Sequence, residues 1–284
     1  MKKFKKKLNS YKNQPLSLVL YLLVNLAALI SIGVVVFLVG FILYHGLPNL
    51  SMPGLFDWKY TSDNQSMLPA IINTLIMVVL SLLLAVPLGV FAAIYLVEYA
   101  KRGNKAVKLI RLTAETLSGI PSIVYGLFGF IVFVISLGWS YTLLAGVITL
   151  AIMILPLIMR TTEEALIAVP DSYREGSFGL GAGKLRTVFR IVLPPAVPGI
   201  AAGVVLAIGR IVGESAALIF TSGTNAVVAT SLFDSASTLS VHLYALLTEG
   251  LYTQQAYAVA CVLLFMVIGI NALSSVLAKK LTAK

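Results

Sequence analysis

Six apolar runs, each near or above the roughly 20 residues that a helix needs to cross a bilayer, limit what this chain of 284 residues can fold into. They lie at about 16–44, 69–97, 112–137, 141–159, 198–220 and 256–278. With 59% hydrophobic residues, 11% charged residues and a mean hydropathy of +0.97, the chain has too little polar material to coat a globule of its size in water. Nothing alternates with period two, so a barrel is not expected. The predicted fold is all-α, a polytopic membrane protein with six transmembrane helices.

Orientation follows from the cations, because positive residues in short loops resist translocation. They collect on alternate loops: Lys2, Lys3, Lys5, Lys6, Lys7 and Lys12 at the start; Lys101, Arg102, Lys105, Lys108 and Arg111 in the second loop; Arg160, Arg174, Lys184, Arg186 and Arg190 in the fourth; Lys279, Lys280 and Lys284 in the tail. The opposite loops hold only Lys59. Both termini are therefore predicted to be cytoplasmic. The net charge of +10 is explained by this topology, and no nucleic-acid partner is expected.

The basic start and the first run are too long for a secretory signal and lack a convincing cleavage site, so the run is expected to stay as an anchor. The resulting organisation is a basic cytoplasmic start (1–15), a first span (16–45), an outer loop (46–68), a core of five spans (69–278) and a short tail (279–284). The single Cys261 lies in the last span and reads as a small buried apolar side chain. The first outer loop, with Pro48, Pro53, Trp58 and Tyr60, suits a segment resting at the interface. The last outer loop, 221–255, is long enough to hold structure that folds back or offers a docking surface. Its His242 reads as solvated or partly buried rather than as a metal ligand, since His45 is the only other histidine. No metal, cofactor or catalytic residue is expected.

Segment 171–195, DSYREGSFGLGAGKLRTVFRIVLPP, breaks the apolar pattern on the basic side. Pro170 stops the preceding span, and Ser172 with Glu175 has capping-box spacing. A helix from about Tyr173 to Leu180 is predicted to end at Gly181 in the left-handed conformation. A second helix from about Gly183 places Leu185, Val188, Phe189 and Val192 on one apolar stripe, with Lys184, Arg186 and Arg190 largely off it. Leu193-Pro194-Pro195 is expected to end that helix and redirect the chain. An ordinary amphipathic loop on the membrane face is the plain alternative.

The spacing of Glu175, Gly181 and Ile191-x-Leu193-Pro194 resembles the EAA loop of permease subunits of ABC-type importers, with Gly176 and Ser177 replacing the two alanines by small residues. The resemblance implies a coupling element that docks on a cytoplasmic ATPase. The GLGAGK string at 179–184 is no phosphate loop: Phe178 stands where a Walker A needs Gly, and Leu185 where it needs Ser or Thr. The chain is therefore not expected to hydrolyse nucleotide itself.

Arg210 and Glu214 stand inside the fifth run, about a dozen residues past its basic end and roughly 20 Å deep. A charge near mid-bilayer costs on the order of 3 kcal/mol, so such residues usually face a pathway. An intrahelical i,i+4 pair is the plain alternative, in its less favourable order. Arginine suits an oxyanion because its planar fork donates two parallel hydrogen bonds. A carboxylate beside it repels a fully ionised anion yet accepts from a protonated phosphate oxygen.

RIVGESAALIFTSG (210–223) and IPSIVYGLFG (120–129) are similar to the fifth- and third-span motifs of phosphate importer permeases. Ser215 and Ala217 depart from the first motif. TLSVHLY (238–244) resembles the outer-loop motif of the A-type subunit. This resemblance implies a type I importer fold in a bacterial inner membrane, with a homologous C-type permease as heterodimer partner. It also implies two ATPase subunits and an extracytoplasmic phosphate-binding protein. An ion-coupled secondary carrier of an oxyanion and an intramembrane enzyme acting on lipids are the rival readings. Among other polar groups, Asn25, Asn73 and Asn271 are expected to bond between helices, and Arg111–Glu115 and Arg160 with Glu163 or Glu164 to form local pairs or stay solvated. Gly126, Gly129 and Gly146 are expected to permit close backbone contact, and Pro121 and Pro156 to bend their spans.

Overall fold

The structure, a computed structural model, describes residues 15–61, 63–101 and 103–282, with backbone alone at 15 and 277–282. The basic start at 1–14, Arg102 and the side chains of the lysines in the tail lie outside the described residues. Among the described residues there is no strand, and the all-α expectation holds.

The first helix, α1 (Pro15–Asn49), is followed by α2 (Leu68–Ile94), which a π turn (Tyr95–Tyr99) prolongs. Next come α3 (Lys105–Ser118) and α4 (Ser122–Gly129), the latter prolonged by a π stretch (Phe130–Ser136), then α5 (Leu143–Ile167) and α6 (Asp171–Gly179). A π turn (Val188–Val192) joins α7 (Lys184–Thr187) to α8 (Leu193–Val212). The rest is α9 (Ala216–Thr221), α10 (Leu239–Glu249) and α11 (Thr253–Thr282).

Among the described residues, five helical runs are long and apolar enough to cross a membrane: Leu16–Asn49, Leu68–Tyr99, Leu143–Ile167, Lys184–Val212 and Thr253–Val276. The third expected span is different. The apolar run at 112–137 begins partway along α3 and is broken at Gly119-Ile120-Pro121, where proline supplies no amide and disfavours helix for the residue before it. α3 and α4 with its π stretch meet at 101°, and only if this bent pair counts as one crossing are there six. The fifth expected span also differs: its helix starts at Lys184 rather than near 198 and breaks at residues 213–215.

α5 is the centre of the bundle, with two thirds of its most apolar window buried. Its middle packs with Met77, Ile211, Val212 and Leu218 around Leu150, Ile154 and Ile158. At the end carrying the basic loops, Leu96, Val107, Leu166, Val169, Val188 and Val192 form a second cluster. At the opposite end Leu55, Met67, Leu239, Leu246 and Val259 form a third. Close approach depends on small residues, as expected where lipid supplies no hydrophobic drive between helices. A Cβ on Gly89 would sit 2.8 Å from Ile158, and one on Gly199 2.6 Å from Ala165.

α1 contributes nothing to the core of its most apolar window. It lies along α11, where Gly46 abuts Tyr257 and Cys261 and the His45 ring stacks on Tyr257 at 5.0 Å. Cys261 is free and buried, as its place in the sequence predicts. The last outer loop does hold structure: α10 follows a segment that folds back onto α2 and α5. Asn73 pins it, donating to the carbonyls of Val227 (2.9 Å) and Ser237 (3.2 Å) and accepting from the Ala229 amide (3.0 Å). Asn25 instead bonds within its own helix, to the Tyr21 carbonyl. His242, expected to be solvated or partly buried, is only 3% exposed. The first outer loop covers it, with Tyr60 edge-on against its ring at 5.9 Å.

Candidate functional site: a helix break and the loop that leads to it

α8 stops at Val212, and the chain crosses Gly213-Glu214-Ser215 before resuming as α9. Such a break inside a membrane span is tolerated only when the freed backbone groups find partners. Here they do: the amides of Gly213 and Glu214 donate to the carbonyls of Gly209 (3.2 Å) and Ile211 (3.1 Å). The buried Glu214 side chain uses one oxygen, Oε1, to accept from the Ala217 amide at 3.1 Å, capping α9. Its carbonyl accepts from Ser240 Oγ at 2.5 Å, which ties the break to α10.

The break also separates Arg210 from Glu214. Helical geometry ends two residues short of Glu214, so the i,i+4 stacking that would pair the two is lost, and no ion pair joins them. The guanidinium of Arg210, half-buried on α8, lies within electrostatic reach of the Tyr125 phenol on α4. That phenol is itself committed to the Leu117 carbonyl at 2.8 Å. α4 and α9 touch through glycine, as the sequence predicts. A Cβ on Gly126 would lie 2.8 Å from Ala217 Cα, and one on Gly129 would collide with Thr149 and Thr221. Gly146 likewise abuts Ser222.

The loop at the basic end is built from α6, α7 and the π turn. Pro170 occupies the N-cap of α6 and Asp171 its first turn, so the helix starts too early for a Ser172–Glu175 capping box, and no side chain caps it. Asp171 instead complements the helix dipole and pairs with Arg174 at 3.2 Å. Gly181 takes the left-handed φ of +78° that ends α6, as predicted. Ser177 is buried and its hydroxyl meets that of Thr187 at 2.8 Å, clasping α6 to α7. Glu175, Gly176, Gly181, Ile191 and Pro194 are exposed, while Leu193 is half-buried.

Leu193-Pro194-Pro195 does not end the second helix. The wide π turn accommodates the two proline rings and their missing amides, and a continuous helix runs from Lys184 to Val212. The same widening shifts the expected stripe: Val188 and Val192 are buried, but Leu185 is 66% exposed and Phe189 also faces out. With Tyr173, Phe178 and Leu180 (91% exposed) they leave an apolar face unpartnered. Beside it a groove of about 490 Å³ is lined by Tyr173, Gly176, Leu180, Arg186, Arg190 and Ile191. Among the described residues, nothing beyond the neighbouring backbone of its own helix lies within 4 Å of a Cβ on Gly176, so its small size is not required by internal packing.

Sequence reasoning missed the anchor of this loop. Arg174 Nη2 and Nε reach Glu98 Oε1 at 2.7 and 3.0 Å, and the guanidinium also donates to the carbonyls of Val169 (2.8 Å) and Leu166 (3.0 Å). The two side chains are 14% and 8% exposed. Glu98, an acid in the last turn of a span on the basic side, was the available signal. Arg111 pairs not with Glu115 but with Glu163 at 2.6 Å, because α3 lies against α5. Arg160–Glu164 pairs locally at 3.0 Å as expected.

A family model described as binding-protein-dependent transport system inner membrane component matches residues 85–283. The probable ABC transporter permease protein YqgI of Bacillus subtilis (strain 168) is 34% identical over 91% of this chain and 95% of its own. The phosphate transport system permease protein PstA of Mycobacterium leprae (strain TN) is 35% identical over 76% of this chain and 74% of its own. In fold, a chain of a bacterial alginate ABC transporter matches 96% of this chain and 98% of its own at a TM-score of 0.65, with 18% identity. A chain of the inward-facing MetNI methionine ABC transporter matches 75% and 93% at 0.60, with 20% identity. The chain belongs to the binding-protein-dependent transport system inner membrane component family, the membrane-spanning permease subunits of ABC importers.

Proposed function

We propose that this chain is the A-type permease of an importer for inorganic phosphate in a bacterial inner membrane, with both termini cytoplasmic. It forms half of a pathway with a homologous C-type permease, above two ATPase subunits and below an extracytoplasmic phosphate-binding protein. One observation carries the reading: a single helix leads from an exposed apolar loop, through Arg210 in its last turn, to a break that holds the buried Glu214. Closure of the ATPase on the face around Glu175, Gly176, Ser177, Gly181, Ile191, Leu193 and Pro194 moves that helix. The break shifts between two states that differ in their contacts.

Phosphate as substrate is supported by relatives named phosphate permeases and by the chemistry of the break. Arg210, with no side-chain acid bound to it, keeps its donors for an oxyanion. Glu214 spends one carboxylate oxygen on Ala217 and retains lone pairs for a protonated phosphate oxygen.

The test is uptake into proteoliposomes holding the assembled importer and ATP. Arg210→Gln removes a charge-assisted contact of about 1.5–3 kcal/mol, so phosphate flux should fall roughly ten- to a hundredfold. Glu214→Gln keeps an acceptor for the Ala217 amide and removes only the charge, and should also slow uptake. Normal flux in both variants sinks the substrate reading. Uptake that follows an ion gradient without the ATPase would instead favour a secondary carrier.

A further inference from the structure

We propose that this chain binds the phosphate headgroup of an anionic phospholipid in a basic recess between α2, α3 and α6. The recess has a volume of about 800 Å³ and is lined by five cationic side chains, Lys101, Lys108, Arg111, Arg174 and Lys184, against the two acids Glu98 and Asp171. Both acids are already bound by Arg174, and Arg111 is committed to Glu163 outside the recess. Lys101, Lys108 and Lys184 have no acidic partner among the described residues, and Lys184 sits over the Tyr99 ring at 5.0 Å. The cavity therefore carries an uncompensated positive charge. Gly103 and Asn104, at the N-terminus of the fourteen-residue α3, line it as well, which adds the positive end of a helix dipole.

A lipid fits better than a free anion because of what surrounds the charge. Leu96, Val97, Val107, Ile167 and Phe178 supply apolar wall, as a glycerol and acyl root require. α3 meets α4 at 101°, so the two do not form one straight helix. The outward side of α3 carries Leu109, Ile110 and Leu112, all exposed, and an amphipathic helix of this kind lies in the interfacial plane at headgroup depth. Basic recesses between spans at that depth hold anionic headgroups. The inference does not depend on which substrate the importer carries.

The experiment is native mass spectrometry of the purified full chain in neutral detergent, titrated with phosphatidylglycerol, phosphatidylcholine or inorganic phosphate. Phosphatidylglycerol should bind in preference to phosphatidylcholine. In Lys101→Gln/Lys108→Gln its affinity should fall about thirtyfold, from about 1 kcal/mol per lysine. Lys101→Arg/Lys108→Arg should bind normally, as should Lys59→Gln, which removes a cation from the opposite end. Unchanged preference in the glutamine pair overturns the proposal. So does displacement of phosphatidylglycerol by millimolar inorganic phosphate, which would mark a free-anion site.

Discussion

The loop anchor offers the sharpest test of the physics. Arg174→Met keeps the apolar stem and removes the guanidinium, taking its donors from Glu98 Oε1 and the Val169 carbonyl, while the Leu166 carbonyl keeps the Val169 amide at 3.3 Å. At 14% and 8% exposure the pair is buried enough that removing one partner should cost about 3–5 kcal/mol, most of it the stranded charge. Glu98→Leu should cost a similar amount by stranding Arg174. Replacing both by apolar groups removes the stranded charge, so the double variant should lose about 2 kcal/mol or more less than the sum of the singles. Unfolding of the full chain by denaturing detergent, followed by circular dichroism, gives the three values. Additive losses, or single losses under about 1 kcal/mol, refute the claim that this contact holds the loop. In the assembled importer, Arg174→Met should lower the substrate carried per ATP hydrolysed, because a loose loop absorbs motion instead of passing it on.

Gly126→Ala should destabilise by about 1–3 kcal/mol, since the new methyl meets the Ala217 backbone rather than a side chain able to swing aside. Gly176→Ala, in open space within α6, should not lower the unfolding midpoint of the isolated chain and should raise it slightly, because alanine favours a helix interior over glycine by roughly 0.5–1 kcal/mol. Burial pushes the His242 pKa below its ordinary value, with a hydrogen bond to the Gln65 backbone acting the other way. The unfolded chain thus takes up that proton first. The stability contributed by neutral His242 is present above the unfolded pKa of about 6.5 and is lost as pH falls toward the depressed folded value. Unfolding midpoints between pH 7.5 and 5 should decline in the wild type, and His242→Gln should flatten that part of the curve.

Hydropathy made the apolar spans and the helical class legible, because the energy that places them scales with length and composition alone. Motif spacing located the two-helix loop at 171–195 and its left-handed Gly181, a local backbone requirement visible in one residue. What it could not give was the path of the chain through Pro194 and Pro195. Proline ordinarily argues for a stop, and only the π turn, which depends on packing around Val188 and Val192, reverses that. The bend at Pro121 was hidden by the apolar residues on both sides of it. Arg210 and Glu214 were found from the cost of burying charge, yet their separation rests on a break that hydropathy does not register. Glu98 with Arg174 was missed because 76 residues divide them and each alone reads as an ordinary loop charge.

If the run of 29 residues at 184–212 moves as one body, it is a lever about 43 Å long at 1.5 Å per residue. Pivoting it by some 5° about its loop end sweeps the Arg210 end through an arc of roughly 4 Å, more than the diameter of a water molecule. A small tilt imposed at the rim is thereby geared up to the scale of a gate.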